Sequence, residues 1–268
     1  MTTVVYHQSS ATLGKVESTV RAQAPGAYLR FGDGDVCLAM GSGELYQSSD
    51  PTLTSEMQQA FGLQGPGIIK SLPLCCKRYD GIEPGMFPGN HECPDDWCED
   101  ILTKVAQWWT ESEKIVFCTA ALHHTATQDP TAAATFLCNI LKNVDWVLLA
   151  GNENIPDHVL DSITPNGKLL KHVKSPSSGS FSAIDRIEDE SASWIGKQSG
   201  YGLVITSMGC SGRVLQKRLY NAEAKYYLFD FGSLMDAMCG WDTRAWISLT
   251  GFQGPKFLSL LQDIMRST

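Results

Sequence analysis

Short apolar runs alternate along this chain with amphipathic stretches, a pattern typical of a mostly parallel β-sheet flanked by helices. The predicted strands are 27–31, 114–119, 146–150, 169–173, 203–207 and 226–231. The predicted helices are 51–61, 94–109, 130–141, 180–195 and 212–220. Several of these helices begin with Pro or follow Ser or Asp, as helix N-termini commonly do. The sequence therefore predicts an α/β fold, and the strand ends are where a ligand site is expected.

The segment 62–98 departs from this pattern. Gly and Pro crowd its first part, among few periodic positions. A long irregular segment inside a compact domain is usually a functional lid or a binding wall, or else a tortuous surface connection. No repeat, linker or low-complexity tract marks a boundary elsewhere. We therefore expect a single domain over residues 1–268, with a loop-rich insertion near 62–98.

Composition and charge narrow the class of protein. The 268 residues are 43% hydrophobic and 19% charged, which is enough for a sizeable core. The net charge of −8 disfavours binding to nucleic acid or to an anionic membrane surface. The first residues lack the charged and apolar runs of a secretory signal, and no stretch reaches about 18 consecutive apolar residues. We expect a soluble cytoplasmic protein without a transmembrane segment, whose nine cysteines are reduced thiols.

Two carboxylates lie one residue apart directly after the first predicted strand, in the run RFGDGD at residues 30–35. Glycines on both sides of Asp33 allow a tight turn, so that Asp33 and Asp35 can approach one hard cation. Mg²⁺ or Mn²⁺ suits such oxygen ligands and would also hold a substrate diphosphate. The alternative is an exposed turn in which the Asp side chains cap backbone amides, and that arrangement needs no metal.

A predicted strand, a glycine turn and a predicted helix follow one another between residues 201 and 220. Gly209 and Gly212 flank the turn, and free backbone N–H groups at such a helix start favour phosphate or another anion. About 20 residues later the next apolar run ends at Asp230, where an acid holds a ribose hydroxyl in nucleotide-binding folds. The turn lacks the third glycine of that fingerprint, so a βαβ unit whose glycines serve only packing is equally consistent with the sequence.

Two further segments carry candidate chemistry. Residues 172–180 place hydroxyls and a lysine after a predicted strand, although Ser178 or Ser180 would more simply cap the helix that follows. The pair His123 and His124 could supply a base, but adjacent histidines point in different directions.

Together these segments resemble the GT-D type of glycosyltransferase, whose pattern is an early Gly-Asp-Gly-Glu after the first strand and a late strand-glycine-helix unit. The resemblance covers residues 28–35, 172–188 and 202–236, roughly a third of the chain. The acidic motif ends in Asp35 where the family has Glu, which shortens the side chain but keeps the carboxylate of a DXD motif. The resemblance implies a Rossmann-like, GT-D-like sheet flanked by helices.

The resemblance also implies an activity, the transfer of a sugar from a nucleoside diphosphate to a glycan or glycoprotein acceptor. UDP is the first donor nucleotide to test, and Mn²⁺ or Mg²⁺ would neutralise charge on the leaving diphosphate. Asp33 and Asp35 would hold the cation, and Asp236, His172 and Glu92 are candidate bases by position or type. The donor would be bound by residues at the strand ends, namely Arg30, Gly32, Gly34, Gly209, Ser211, Gly212, Asp230 and Ser233.

Two other functions fit the same sequence. A Rossmann-like methyltransferase or dehydrogenase would bind an adenine cofactor through residues 209–212 and Asp230. In that case, replacing Asp33 or Asp35 by Asn would leave ligand binding unchanged. A non-catalytic module would bind a nucleotide sugar or a glycan without turning it over.

Overall fold

The core of the protein is a parallel β-sheet. The computed structural model describes residues 3–44, 47–74, 95–111, 113–164 and 168–267. Within these ranges the strands are β1 (Thr3–His7), β2 (Gly26–Arg30), β3 (Ile68–Leu72), β4 (Glu113–Cys118), β5 (Trp146–Asn152), β6 (Leu169–Ser175), β7 (Gly202–Ser207) and β8 (Tyr226–Asp230). They form one eight-stranded sheet in the order β1-β4-β3-β2-β8-β7-β5-β6, and every neighbouring pair is parallel. The α/β fold predicted from the sequence is confirmed.

Helices cover both faces of the sheet. In the described ranges they are α1 (Ser9–Arg21), α2 (Asp33–Ala39), α3 (Pro51–Gly62), α4 (Asp95–Val105), α5 (Ala121–Gln128), α6 (Pro130–Lys142), α7 (Asp157–Ser162), α8 (Ile184–Ile195), α9 (Ser211–Leu219), α10 (Leu234–Met238), α11 (Ala245–Thr250) and α12 (Gly254–Ser267). One apolar layer joins the sheet to α1, α5, α6, α10 and α12, and the other joins it to α2, α3, α4, α8 and α9.

The inner strands β2, β5, β7 and β8 read as apolar runs because both of their faces are buried. In β5, Val147 and Leu149 pack into one layer, whereas Trp146, Leu148 and Ala150 pack into the other. All of these side chains are buried. The six strands predicted from such runs are confirmed as β2 and β4 to β8.

Two strands, β1 and β3, were not predicted from the sequence. β1 lies in a polar N-terminal stretch, and β3 lies inside the segment predicted to be loop-rich. That prediction is wrong for Ile68–Leu72, because Lys70 interrupts an apolar run that is nevertheless buried. Residues 75–94, which include the candidate base Glu92, lie outside the described residues.

The strand order reverses between β2 and β8. The chain continues from β2 to β3 and β4 on one side, while β8, β7, β5 and β6 occupy the other side. In open parallel sheets, loops that leave such a point in opposite directions open a crevice at the carboxyl ends of the strands. The topology therefore places a ligand site beyond the ends of β2 and β8.

Candidate active site

A cleft of about 350 Å³ opens at this crevice. Its polar and charged lining comprises Arg30, Asp33, Asp35, Glu44, Gln47, Asn152, Ser175, Ser177, Ser178, Ser180, Ser207, Ser211, Arg213, Ser233, Asp236, Thr243 and Arg244, and Trp246 adds an aromatic ring. The cleft thus brings together most of the site residues predicted from the sequence, including Gly32, Gly34 and Gly209. Gly212, Asp230 and His172 do not line it.

The acidic motif forms the first turn of α2 instead of an isolated turn. Asp33 is exposed, and its Oδ1 accepts the N–H of Gly34 at 2.9 Å. Asp35 is 1% exposed, and its Oδ2 accepts the N–H of Gly32, the N-cap residue, at 2.7 Å. Helical residues two positions apart do not face each other. The carboxylates of Asp33 and Asp35 therefore point in different directions, which the prediction of a shared cation did not anticipate.

A buried ion network lies behind the cleft wall. Arg213 of α9 approaches Asp230 Oδ2 at 2.8 Å through Nη1 and Asp35 Oδ1 at 3.4 Å through Nε. Arg30 Nε donates to the same Asp230 Oδ2 at 3.0 Å, and Arg30 Nη1 donates to the carbonyl of Thr119 at 3.3 Å. Asp230 is 1% exposed, so two guanidinium groups occupy the carboxylate that was expected to hold a ribose. The network fixes β2, β8, α2 and α9 around the cleft.

Burial shapes the protonation of this network. Burial raises the pKa of Asp35, and the neighbouring Arg213 and the Gly32 N–H offset part of that rise. Burial lowers the pKa of Arg213, but Asp230 and Asp35 more than compensate and raise it overall. Burial and the Asp35 charge also raise the pKa of the Cys210 thiol well above its usual range. Cys210 is therefore a protonated thiol and not a nucleophile.

The turn between β7 and α9 is present as predicted, and its two glycines differ in role. Gly209 is exposed and left-handed, with φ of +60°, whereas a Cβ on Gly212 would lie 3.3 Å from the Thr206 side chain. Gly212 therefore lets α9 pack closely on β7, whereas its neighbours Gly209, Cys210 and Ser211 line the cleft. Packing, which the sequence left open as the alternative, accounts for Gly212.

Beyond β8 the chain turns at Gly232, which is left-handed with φ of +58°. The N–H of Gly232 donates to Asp230 Oδ1 at 3.0 Å, and Ser207 Oγ donates to the carbonyl of Gly232 at 3.0 Å. A Cβ on Gly232 would lie 2.2 Å from Arg30 Nη2, so glycine leaves room for this guanidinium. The turn is thereby fixed in place and presents Ser233 to the cleft.

Asp236 lies at the same end of the cleft. Its Oδ2 accepts the hydroxyl hydrogen of Thr243 at 2.6 Å. Burial raises the pKa of Asp236, while Thr243 and Arg244 offset part of the rise. A half-buried carboxylate with a raised pKa that faces a cleft suits proton transfer.

The other candidates have structural partners. His172 Nε2 lies 3.3 Å from the Gly151 carbonyl, and His124 Nδ1 lies 3.0 Å from Ser9 Oγ. The capping prediction for Ser180 is wrong, because its Oγ donates to the Met208 carbonyl at 3.0 Å and Gly179 is the N-cap of the short 3-10 helix Ser180–Ala183. That bond ties the loop after β6 to the end of β7.

Sequence reasoning missed several lining residues, among them Glu44, Asn152, Arg213 and Arg244. Glu44 lies in an aperiodic stretch, and a Cβ on Gly34 would lie 3.4 Å from its Cβ and Cγ. Glu44 therefore packs directly on the acidic motif. The second glycine of that motif, which leaves room for a neighbour, was the available signal.

The donor atoms of the cleft suit a hard cation better than a soft one. Among the described residues, no group of three or more His, Cys, Asp or Glu side chains is arranged to hold a metal ion. The Asp33 carboxylate accepts the Gly34 N–H, and the Cβ and Cγ of Glu44 pack beside the same glycine. Mg²⁺ is commonly bound by one or two carboxylates, with substrate phosphates and water completing its shell.

No model of a known protein family and no curated protein matches this chain. It is similar to a solved structure described as a new glycosyltransferase (DUF1792) from Streptococcus sanguinis, with a TM-score of 0.59 and 17% identity over 87% of this chain and 82% of that one. Two other structures of domain of unknown function 1792, one described as having a distinct glycosyltransferase fold, match with TM-scores of 0.61 and 15% identity over 88% of this chain and 80% of theirs. The fold is thus the glycosyltransferase-like α/β fold that the sequence resemblance implied.

None of the helices in the described ranges has the length and hydrophobicity needed to cross a bilayer.

Proposed function

We propose that this protein is a metal-dependent glycosyltransferase that takes a sugar from a nucleoside diphosphate. The observation that carries the proposal is the exposed Asp33 carboxylate, which shares a cleft at the point of strand reversal with three arginines. The proposal is supported by the fold, because a solved structure with that fold is described as a glycosyltransferase. UDP-sugars are the first donors to test, and a glycan or glycoprotein is the expected acceptor.

Asp33 and Glu44 are the residues that would hold Mn²⁺ or Mg²⁺. Both side chains flank Gly34, and both are carboxylates, the ligand type that these hard cations prefer. Asp35 would act indirectly, because it caps α2 through Gly32 and is paired with Arg213. When bound, the cation would neutralise the charge that develops on the leaving diphosphate.

The arginines and the turn after β7 would bind the donor. Arg30 is held by Asp230 and Thr119, so its guanidinium is oriented before any ligand arrives. Gly209 is exposed at the turn, where its backbone can approach a ligand closely. Groups that are already in position lose little entropy on binding and stabilise developing charge effectively.

Asp236 is the residue proposed to accept the proton of the acceptor hydroxyl. Thr243 orients its carboxylate at 2.6 Å, and burial raises the pKa of Asp236, which makes its carboxylate a stronger base. His172 does not line the cleft, which leaves Asp236 as the base among the candidates that the structure describes.

An adenine-cofactor enzyme fits the site less well. In that fold the acid after the second strand accepts a ribose hydroxyl. Here Asp230 is 1% exposed and bonded to Arg30 and Arg213, and Gly212 faces Thr206 instead of the cleft. The adenine-cofactor alternative requires Asp230 and Gly212 at the ligand, but both residues are engaged in contacts within the protein.

The test is release of free nucleotide from a panel of nucleotide sugars, with Mn²⁺, with Mg²⁺ and with chelator. Asp33→Asn and Glu44→Gln should abolish metal-dependent release and weaken Mn²⁺ binding measured by calorimetry. Asp263→Asn is the matched control, because Asp263 is 69% exposed on α12. If no nucleotide sugar is bound or cleaved, the proposal is wrong; binding without release indicates a non-catalytic module or a missing acceptor.

A further inference from the structure

Ser233 has an unusual set of hydrogen-bond partners at the end of the cleft nearest α5 and α11. Trp246 Nε1 donates to Ser233 Oγ at 2.8 Å, and His123 Nε2 lies 3.4 Å from the same oxygen. His123 and Trp246 also meet edge to face, with ring centroids 5.1 Å apart. An indole N–H is only a donor, so one lone pair of Ser233 Oγ is permanently occupied.

The protonation of His123 decides what the Ser233 hydroxyl can still do. His123 is 3% exposed, and burial, with Arg30 and Arg244 nearby, lowers its pKa well below the usual range. The ring is therefore neutral and carries a single N–H. Among the described residues Nδ1 has no hydrogen-bond partner, so an N–H placed there would be a buried donor with no acceptor. The N–H is accordingly assigned to Nε2, which faces Ser233.

With that tautomer both lone pairs of Ser233 Oγ are engaged, one by Trp246 and one by His123. The hydroxyl hydrogen is then left to donate into the cleft. Arg30 and Arg244 line the same cleft, and Arg guanidinium groups are also donors only. A ligand group at this position meets donors from several directions, which suits an oxygen that only accepts.

We propose that Ser233 is an obligate donor to an anionic phosphate oxygen of the donor diphosphate, and that His123 and Trp246 impose this role on it. This inference rests on the proposed function and assigns the diphosphate to the end of the cleft formed by Ser233 and Arg244. Asp236 faces the same end, and the cation at Asp33 would offset its charge. The role is narrower than the general donor-binding role that the resemblance implied for Ser233.

The experiment is calorimetric titration in Mg²⁺ buffer with three probes: UDP, uridine and inorganic pyrophosphate. Ser233→Ala should weaken UDP and pyrophosphate about tenfold or more, the effect of losing a hydrogen bond to a charged group, and leave uridine unchanged. Ser248→Ala is the matched control, because Ser248 is exposed on the same short helix as Trp246 and does not line the cleft. Its affinities should equal those of the native protein.

Trp246→Phe provides a second variant that keeps Ser233 and an aromatic ring. It frees one lone pair of Ser233, so the hydroxyl can accept as well as donate, and the preference for pyrophosphate over uridine should fall. An unchanged preference, or equal losses of UDP and uridine in Ser233→Ala, would overturn the inference. If the native protein binds neither UDP nor pyrophosphate, the proposed function fails as well; if it binds UDP and Ser233→Ala binds equally well, only the phosphate subsite fails.

Discussion

Arg213→Met removes the central cation of the buried network while keeping a long side chain in its place. Arg213 is 5% exposed and serves both Asp35 and Asp230. After the substitution Asp230 still receives the Arg30 guanidinium at 3.0 Å. Asp35 keeps only weaker compensation, from the Gly32 N–H and the Cys210 thiol. The variant therefore leaves a buried carboxylate without its cation.

Removing one partner of a buried ion pair typically costs about 3–5 kcal/mol, because the remaining charge stays desolvated. Domain stabilities are about 5–15 kcal/mol, so the variant should lose a large part of its free energy of unfolding. With a urea m-value of about 3 kcal/mol/M, the unfolding midpoint should fall by about 1–2 M. Tryptophan fluorescence during urea unfolding measures this midpoint directly.

The pH dependence of the stability lost in Arg213→Met identifies the cause of that loss. Burial raises the folded-state pKa of Asp35, and loss of Arg213 raises it further. An acid whose pKa is higher in the folded than in the unfolded protein lowers the free energy of unfolding when it ionises. This loss is absent below the unfolded-state pKa and is complete once the pH has risen through the folded-state pKa. The deficit of Arg213→Met should therefore be larger at pH 8 than at pH 5, and Asp35→Asn should restore part of the stability.

The control is Arg266→Met, which removes a surface pair whose arginine is 75% exposed and should change stability by less than about 1 kcal/mol. If Arg213→Met costs no more than this control, or if its deficit is independent of pH, Arg213 does not stabilise the fold by neutralising the buried Asp35.

Two further predictions test the base and a second buried cation. Asp236→Asn should lower kcat by about 100-fold or more at unchanged KM. The rate of the native enzyme should rise with pH above the usual aspartate range, because burial raises the pKa of Asp236. A higher KM at unchanged kcat in Asp236→Asn would contradict the role of Asp236 as the base. Burial lowers the pKa of Lys70 to about 8 from 10.5, so the native protein should gain stability relative to Lys70→Met as pH rises from 8 to 10.5 in denaturation experiments. An opposite slope would show that Glu111, 3.5 Å from Lys70 Nζ, outweighs burial.

The strands could be predicted wherever apolar residues were continuous. β5 and β7 lie inside the sheet, and both of their faces are covered, so most of their positions select an apolar side chain. β3 is equally buried but carries Lys70, whose ammonium bonds to the Phe61 carbonyl at 3.0 Å and lies 4.6 Å from the Trp109 ring. A lysine whose partners are distant in sequence cannot be recognised as a buried residue from its neighbours alone.

The position of the cleft was easier to predict from the sequence than the contacts of the residues that line it. Strand ends and glycines are local signals, and the residues chosen from them that line the cleft include Arg30, Asp33, Gly209 and Ser233. The role of Arg213 depends on contacts with residues that are distant in sequence, such as its bond to Asp35, 178 positions away. No local sequence pattern records such a contact. For Glu44 the sequence offered only the glycine at position 34, which leaves room for a neighbour but does not say which residue fills it.

Helix geometry gives Asp33 and Asp35 of the acidic motif different roles. In a tight turn Asp33 and Asp35 could converge on one cation, but as residues of the first turn of α2 they do not face each other. Asp35 then faces Arg213 and stabilises the start of the helix, while Asp33 remains exposed. A cation in this cleft consequently needs its second protein carboxylate from another segment, and Glu44 packs on the motif at the glycine between the two acids. Because α2 directs Asp35 to a structural role, the cation depends on Glu44 for its second carboxylate. Glu44→Gln should therefore lose cation binding.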